Sequence, residues 1–316
     1  MECVRRWPAL VHAAAIAMVV LGATVIAGCL PVLAQEPAAG TEDQQTMEKT
    51  IVYAEVQLEG FGECPVELFV NDIPVARAGG KFQPYASVTV PEFLIDGVNS
   101  LTLVICPGPT PSMSQRGGDC ACGAKADPKM EAVARITRLV DGVPAGPGAG
   151  GALIELKWTG VSGDSLPKVV TVTGDAGKQL GAWAWQSAEI LTLNDSTRKS
   201  ATEFINKIKT AYENADPEPI LASGKIKAAE IARIDPEFGG AAFEEMVRGQ
   251  LGEMKGSPEW KPSGLSEDQY DLRLVAGGRL IEAIAKDWQP ILRMVNDNFR
   301  LAMLIGRVGG EWQIMR

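Results

Sequence analysis

Histidine is almost missing from this chain: its 316 residues hold one, His12, which lies in an apolar stretch near the N-terminus. If that stretch is removed as a leader, no imidazole remains. Ser-His-Asp and Cys-His catalysis, histidine-ligated zinc and the commonest general base near neutral pH are then excluded. Any chemistry falls to carboxylates, tyrosines, lysines or backbone groups. A basic stripe is missing as well, since 30 Lys and Arg stand against 39 Asp and Glu for a formal charge of −9. Without clustered positive charge there is little counterion release to drive binding to a phosphate backbone, so nucleic acid is not an expected partner. Beyond residues 9–27 there is no second long apolar run. With 46% hydrophobic residues, the body reads as ordinary soluble protein of about two domains, at roughly 150 residues each.

What is present begins with an address. Arg5 and Arg6 precede the apolar residues 9–27, which end in Ile26-Ala27-Gly28-Cys29. A basic start, an apolar run and small residues before a cleavage point make a secretory signal. The last four residues resemble the lipobox of bacterial lipoproteins, which implies removal of residues 1–28 and lipid attachment at Cys29, so that the protein meets the bilayer through its anchor. Val32-Leu33-Ala34 before Gln35 is an alternative small-x-small site that would release a soluble chain. A retained membrane span is the third reading, the run being close to the ~20 residues a bilayer needs; the cleavage signatures argue against it. The paired arginines also suggest twin-arginine export, although Trp7 and Pro8 depart from that pattern. Every reading puts the body outside the cytoplasm, in the periplasm or at the cell surface. Removing residues 1–28 takes away Glu2, Arg5 and Arg6 and moves the formal charge from −9 to −10. Residues 29–50 are polar and aperiodic, a flexible tether with a reach of about 25 Å.

The cysteine count fits an oxidising compartment. Apart from Cys3 and Cys29 there are four, Cys64, Cys106, Cys120 and Cys122, an even number. Cys120 and Cys122 flank a single alanine and are awkwardly placed to bridge each other, so they are expected to reach outward to Cys64 and Cys106. The alternative is a soft-metal site for Cu(I), with Met113 or Met130 as a further ligand. Disulfides are favoured outside the cytoplasm, and no metal or other cofactor is expected.

From Ile51 the pattern has period two. Val52, Ala54, Val56 and Leu58 alternate with polar residues, Val66, Leu68 and Val70 repeat the pattern, and further strands are expected over 131–140, 152–158 and 168–173. Many short strands separated by Gly and Pro predict an all-β sandwich over 51–185. Within it, Val66-Glu67-Leu68-Phe69-Val70-Asn71-Asp72 and Leu94-Ile95-Asp96-Gly97-Val98-Asn99-Ser100-Leu101 resemble the galactose-binding-like jelly roll found beside many glycoside hydrolase domains. There a strand ends in a V-N-G turn, and an L-x-x-G-x-N-x-L turn leads into a core strand. Asp72 stands where the family has Gly. The motif is a turn-and-core signature, so the resemblance implies a fold rather than a sugar site. Trp183 and Trp185, if on a strand, share a face and could stack a ligand ring; the alternative is that they pack the seam between two domains.

Near Leu193 the period becomes 3.6. Asn194, Asp195 or Ser196 can cap a helix with an apolar stripe from Ala201 to Tyr212, a second is expected over 218–233, and Asp235-Pro236 opens a third bearing Phe243, Val247 and Leu251. Strands follow, with Gly277-Gly278, Asn296-Asp297 and Gly309-Gly310 as hairpin turns. Three helices before a curved antiparallel sheet, closing on Gly310-Glu311-Trp312-Gln313-Ile314, resemble the nuclear-transport-factor-2-like α+β fold over 190–316. That family includes enzymes that use an Asp, Tyr or Arg inside the cone, and also members that only bind or assemble. Asp216, Tyr212, Arg248, Tyr270, Asp271 and Arg293 are the candidates here, and no spacing singles out a pair. Two functional classes follow: a non-catalytic envelope protein that binds a partner protein or glycan, or a carboxylate-dependent hydrolase or isomerase in the C-terminal domain.

Overall fold

The computed structural model describes residues 50–114, 123, 125–140, 143–144, 146–178, 181–256, 262–264, 266–294, 300–301 and 303–316. Cys29, Cys120, Cys122 and the turn at Asn296-Asp297 lie outside them.

The first half forms eight strands: β1 Thr50–Glu59, β2 Pro65–Val70, β3 Ile73–Gly79, β4 Tyr85–Thr89, β5 Val98–Ile105, β6 Glu131–Val140, β7 Gly151–Thr159 and β8 Lys168–Asp175. They make two antiparallel sheets, ordered β4-β1-β6-β7 and β3-β2-β5-β8. The period-two residues decide which faces meet. Val52, Ala54, Val56 and Leu58 of β1 and Val66, Leu68 and Val70 of β2 enter one core with Leu101, Leu103 and Ile136. At about 1.5 to 3 kcal/mol for each large apolar side chain, this burial drives the two sheets together.

The residues of the two turns at Asn71-Asp72 and Asp96-Gly97 hold one another. Asn71 and Asp72 make the β2–β3 turn with φ of +50° and +62°, the left-handed conformations that a two-residue hairpin requires. Asn71 Nδ2 donates to Asn99 Oδ1 at 2.7 Å and to the Phe93 carbonyl at 2.8 Å. Fully buried Asn99 closes its own turn through Ile95 N–H, 2.8 Å, and the Gly97 carbonyl, 2.8 Å. This is a structural polar network with its donors and acceptors paired.

The second half carries four helices, α1 Asp195–Glu213, α2 Pro217–Ser223, α3 Lys225–Ile234 and α4 Ala241–Gly256, where three were expected. The predicted 218–233 helix is cut at Gly224, whose N–H closes α2 on the Ile220 carbonyl at 2.9 Å. Asn194 caps α1 by accepting from Thr197 N–H at 2.9 Å. Asp216 starts α2 as well as ending α1, accepting from Glu218 N–H at 3.1 Å. The Asp235-Pro236 cap opens a short 3₁₀ turn over Pro236–Phe238, and α4 begins after it.

The remaining strands are β9 Pro262–Gly264, β10 Tyr270–Val275, β11 Leu280–Ala285, β12 Leu292–Met294, β13 Arg300–Leu301, β14 Met303–Val308 and β15 Glu311–Ile314. β10-β11-β14-β15 is a four-stranded antiparallel sheet, and β13-β12-β9 is a separate three-stranded one. The expected simple meander is therefore interrupted between β11 and β14. In sum, three four-stranded antiparallel sheets combine with four helices in a β-rich fold. No described helix is long and apolar enough to cross a membrane.

Among the described residues no strand of the first half pairs with one of the second. The apolar core nevertheless runs across the junction, with Val275, Ala276, Leu280, Leu304 and Met315 joining the sandwich residues.

Candidate functional site

The C-terminal interior, where a cone-type active site is expected, is packed. Ile205, Ile208 and Ala211 of α1, Val247 and Leu251 of α4, and Leu272, Ile281 and Ile305 of the sheet form one apolar cluster. Tyr212 sits within it at 2% exposure, where burial pushes its hydroxyl above the ordinary range. Tyr270 is also buried and raised by burial, and Lys209 lies 5.5 Å from its ring centre. The other candidates have structural partners. Asp216 caps α2, and Asp271 accepts from Ser112 N–H at 2.8 Å and Leu272 N–H at 3.0 Å. Arg248 ties α2 to α4 through Glu218, 2.5 Å, and Glu244, 2.8 Å. Arg293 falls outside the described side chains.

The charged residues that the structure does bring together were not singled out from the sequence. Glu67 of β2, Arg273 of β10, Glu282 of β11 and Arg77 of β3 form a closed ring of alternating charge. Arg273 donates to Glu67 through Nη1 at 3.0 Å and Nη2 at 2.8 Å, and to Glu282 through Nε at 2.5 Å. Arg77 completes the ring, with Nε 3.1 Å from Glu67 and Nη2 3.0 Å from Glu282. Ser114 Oγ also donates to Glu67, and Arg273 reaches the Pro111 carbonyl at 3.2 Å. Trp288 covers both guanidiniums, 5.4 Å from Arg77 and 5.7 Å from Arg273. Burial pushes the Glu67 carboxyl up, but the two guanidiniums and the Arg273 and Ser114 hydrogen bonds outweigh it, so it stays below the usual carboxylate range. Burial alone would lower Arg273; Glu282 and Glu67 raise it instead. A carboxylate held ionised in this way, as that of Glu67 is, makes a poor general acid.

Asp72, in the turn between β2 and β3, also joins the halves. Its carbonyl accepts from Ala276 N–H at 3.0 Å and its Oδ2 from Gly277 N–H at 2.8 Å.

Trp183 and Trp185 lie on a 3₁₀ turn, Ala184–Ser187, and its N-cap, rather than on a strand. At 1% and 6% exposure they present no open stacking face. Their indoles donate to the Leu94 carbonyl at 2.8 Å and the Glu92 carbonyl at 3.0 Å. They wedge the segment after β4 against α3 and the chain end, and Arg233 lies 4.3 Å from the Trp183 ring centre.

Cys64 and Cys106 flank the paired strands β2 and β5, with sulfurs 3.4 Å apart, in contact and beyond bonding distance. The bridges expected from Cys120 and Cys122 fall outside the described residues, as does the Cys-x-Cys copper alternative. Met130 is buried in the sandwich core and Met113 is exposed. Among the described residues no group of three or more His, Cys, Asp or Glu is placed to hold a metal ion.

α2, α3 and α4 enclose a groove of about 500 Å³, with Leu221, Ala228 and Phe243 as its apolar lining and Glu218, Lys225 and Arg248 at its edge. Compared with known proteins, the chain matches no family model, no curated protein and no solved structure.

Proposed function

We propose that this is an exported, lipid-anchored, non-catalytic binding or assembly protein of the cell envelope. In this reading residues 51–185 are a jelly-roll-like sandwich domain and 190–316 an α+β domain, carried on the tether 29–50 and fixed to the bilayer at Cys29. The observation that carries it is the disposition of charge and space. The C-terminal interior is filled by apolar side chains, and the buried Glu67–Arg273–Glu282–Arg77 ring is committed to holding the halves together. The α2–α4 groove is a preformed concavity open to a partner. Its partner is a polypeptide segment, because the lining offers Leu, Ala and Phe and no exposed Trp or Tyr on which a sugar would stack.

The test is site-specific photocrosslinking of the full chain in its native envelope, with the probe at Ala222 on the groove edge. A discrete protein adduct is expected that disappears when Ala229→Trp fills the groove and persists with Thr102→Trp on the far sheet. No adduct, or one insensitive to Ala229→Trp, contradicts the reading. Turnover of an envelope substrate lost in Asp216→Asn or Asp271→Asn with the fold intact would instead establish the hydrolase or isomerase alternative.

A further inference from the structure

Glu92 is a buried acid at the junction of the two halves. It sits at 4% exposure on the 3₁₀ turn Pro91–Phe93 between β4 and β5, and its Oε2 has no hydrogen-bond partner among the described residues. It borders a void of about 10 Å³ with Lys227, Glu230, Ile231 and Ile234 of α3 and with Arg316, room for about one water. The ionisable groups facing it are Lys227 and Glu230 from α3 and Arg316 from the segment after β15; the 184–187 turn brings none. Glu230 is already engaged, accepting from Arg316 Nη1 and from Ala184 N–H at 2.5 Å. Arg316 is shared, since its Nη2 donates to the Glu92 main-chain carbonyl at 3.1 Å and not to the carboxyl. The Glu92 side chain is therefore the unmatched member of a buried cluster that bridges sandwich and helices. An ionised carboxylate with one oxygen left unpartnered in such a place is costly, and a neutral one is much less so.

We propose that Glu92 is a proton-holding latch: its carboxyl keeps a proton while the junction between sandwich and α3 is closed and releases it to water when the junction opens, so rising pH weakens the contact between the halves. The direction of its titration agrees. Burial raises the Glu92 carboxyl above its ordinary 4.5, and Arg316 reverses this only in part. Because the closed form holds one proton more than the open form, the open-to-closed ratio rises as pH climbs from the ordinary glutamate value to that of buried Glu92. The slope is at most tenfold per pH unit, and the ratio is level above that window.

The experiment is hydrogen exchange of the Ala184 main-chain N–H, which donates to Glu230 of α3 across the junction, in the full native chain and in Glu92→Gln. Comparing the two at each pH cancels the intrinsic pH dependence of exchange. The opening ratio of the native chain relative to Glu92→Gln is expected to be level below pH 4.5, to climb with pH and then to level off. A ratio independent of pH from 4 to 8 overturns the latch. A ¹³C titration of glutamate carboxyls in the native chain tests it without relying on the variant. One buried carboxyl, assigned by Glu92→Asp, should stay protonated above the range of the rest, and Glu92 titrating with the exposed glutamates overturns the proposal.

Discussion

Arg273 grips Glu67 with both terminal nitrogens, at 3.0 and 2.8 Å, across 206 residues of sequence. The pair joins the inner strand of one sheet to the edge strand of another, and neither side chain is more than 7% exposed. Removing one partner of such a pair leaves a charge buried without compensation, which costs about 3 to 5 kcal/mol. Glu67→Gln is expected to lose that much in denaturant unfolding, while Lys157→Gln, at an exposed pair with Glu155, changes stability by less than about 1 kcal/mol. The sign with pH follows from the same geometry. The Glu67 carboxyl is lowered in the fold, so its contribution is present above the ordinary glutamate value and is lost as pH falls through its folded value. The native chain should weaken across that acid window, and Glu67→Gln should lack this part of the slope.

Lys227 titrates in the opposite sense. Burial, and then Arg316, lower its ammonium from 10.5 to about 8, with Glu92 opposing. Between about 8 and 10.5 the unfolded chain holds more protons, so stability should rise with pH across that window, by roughly 2 kcal/mol after allowance for partial exposure. Lys227→Met is expected to lack this rise in chemical unfolding at matched pH.

Asp72 has a left-handed conformation, φ +62°, and a carboxylate bond to Gly277 N–H at 2.8 Å. Asp72→Gly eases the turn by up to about 1 kcal/mol but loses a charged hydrogen bond of about 1.5 to 3. A net loss near 1 kcal/mol is expected. Asp72→Asn keeps both the turn and an oxygen acceptor, and its unfolding midpoint should stay close to the native one.

The sulfur contact leads to a covalent expectation. Cys64 and Cys106 are within 3.4 Å, so a cysteine brought to either by the 107–129 loop meets both. Non-reducing peptide maps of protein from its native compartment should link Cys106 to the peptide holding Cys120 and Cys122. Four free thiols, or copper retained through purification, would contradict it.

Local chemistry was legible in the sequence wherever the partner lay nearby. The alternation in β1, β2 and β6, the Asn194 cap and the Asn71 and Asn99 turns could each be read from neighbouring residues. The α2/α3 break was hidden because the apolar spacing continues past Gly224, and a glycine alone does not end a helix. The charge ring was hidden for a different reason. Glu67 between Val66 and Leu68, Arg273 between Leu272 and Leu274, and Glu282 between Ile281 and Ala283 each read as the solvent face of a half-buried strand. Only the docking of one sheet onto the other buries those faces. Trp183 was ambiguous in the sequence, because a seam and a sugar platform ask for the same residue type.

The claim on which the functional reading rests is that this body stands outside the cytoplasm on a lipid. Intact-mass analysis of the protein recovered from the membrane fraction of its native cells, beside Cys29→Ser, tests it most directly. The expected result is a chain beginning at Cys29 with added lipid mass, and a Cys29→Ser protein that leaves the membrane. An unlipidated soluble chain beginning at Gln35, or one retaining residues 1–28, would contradict it.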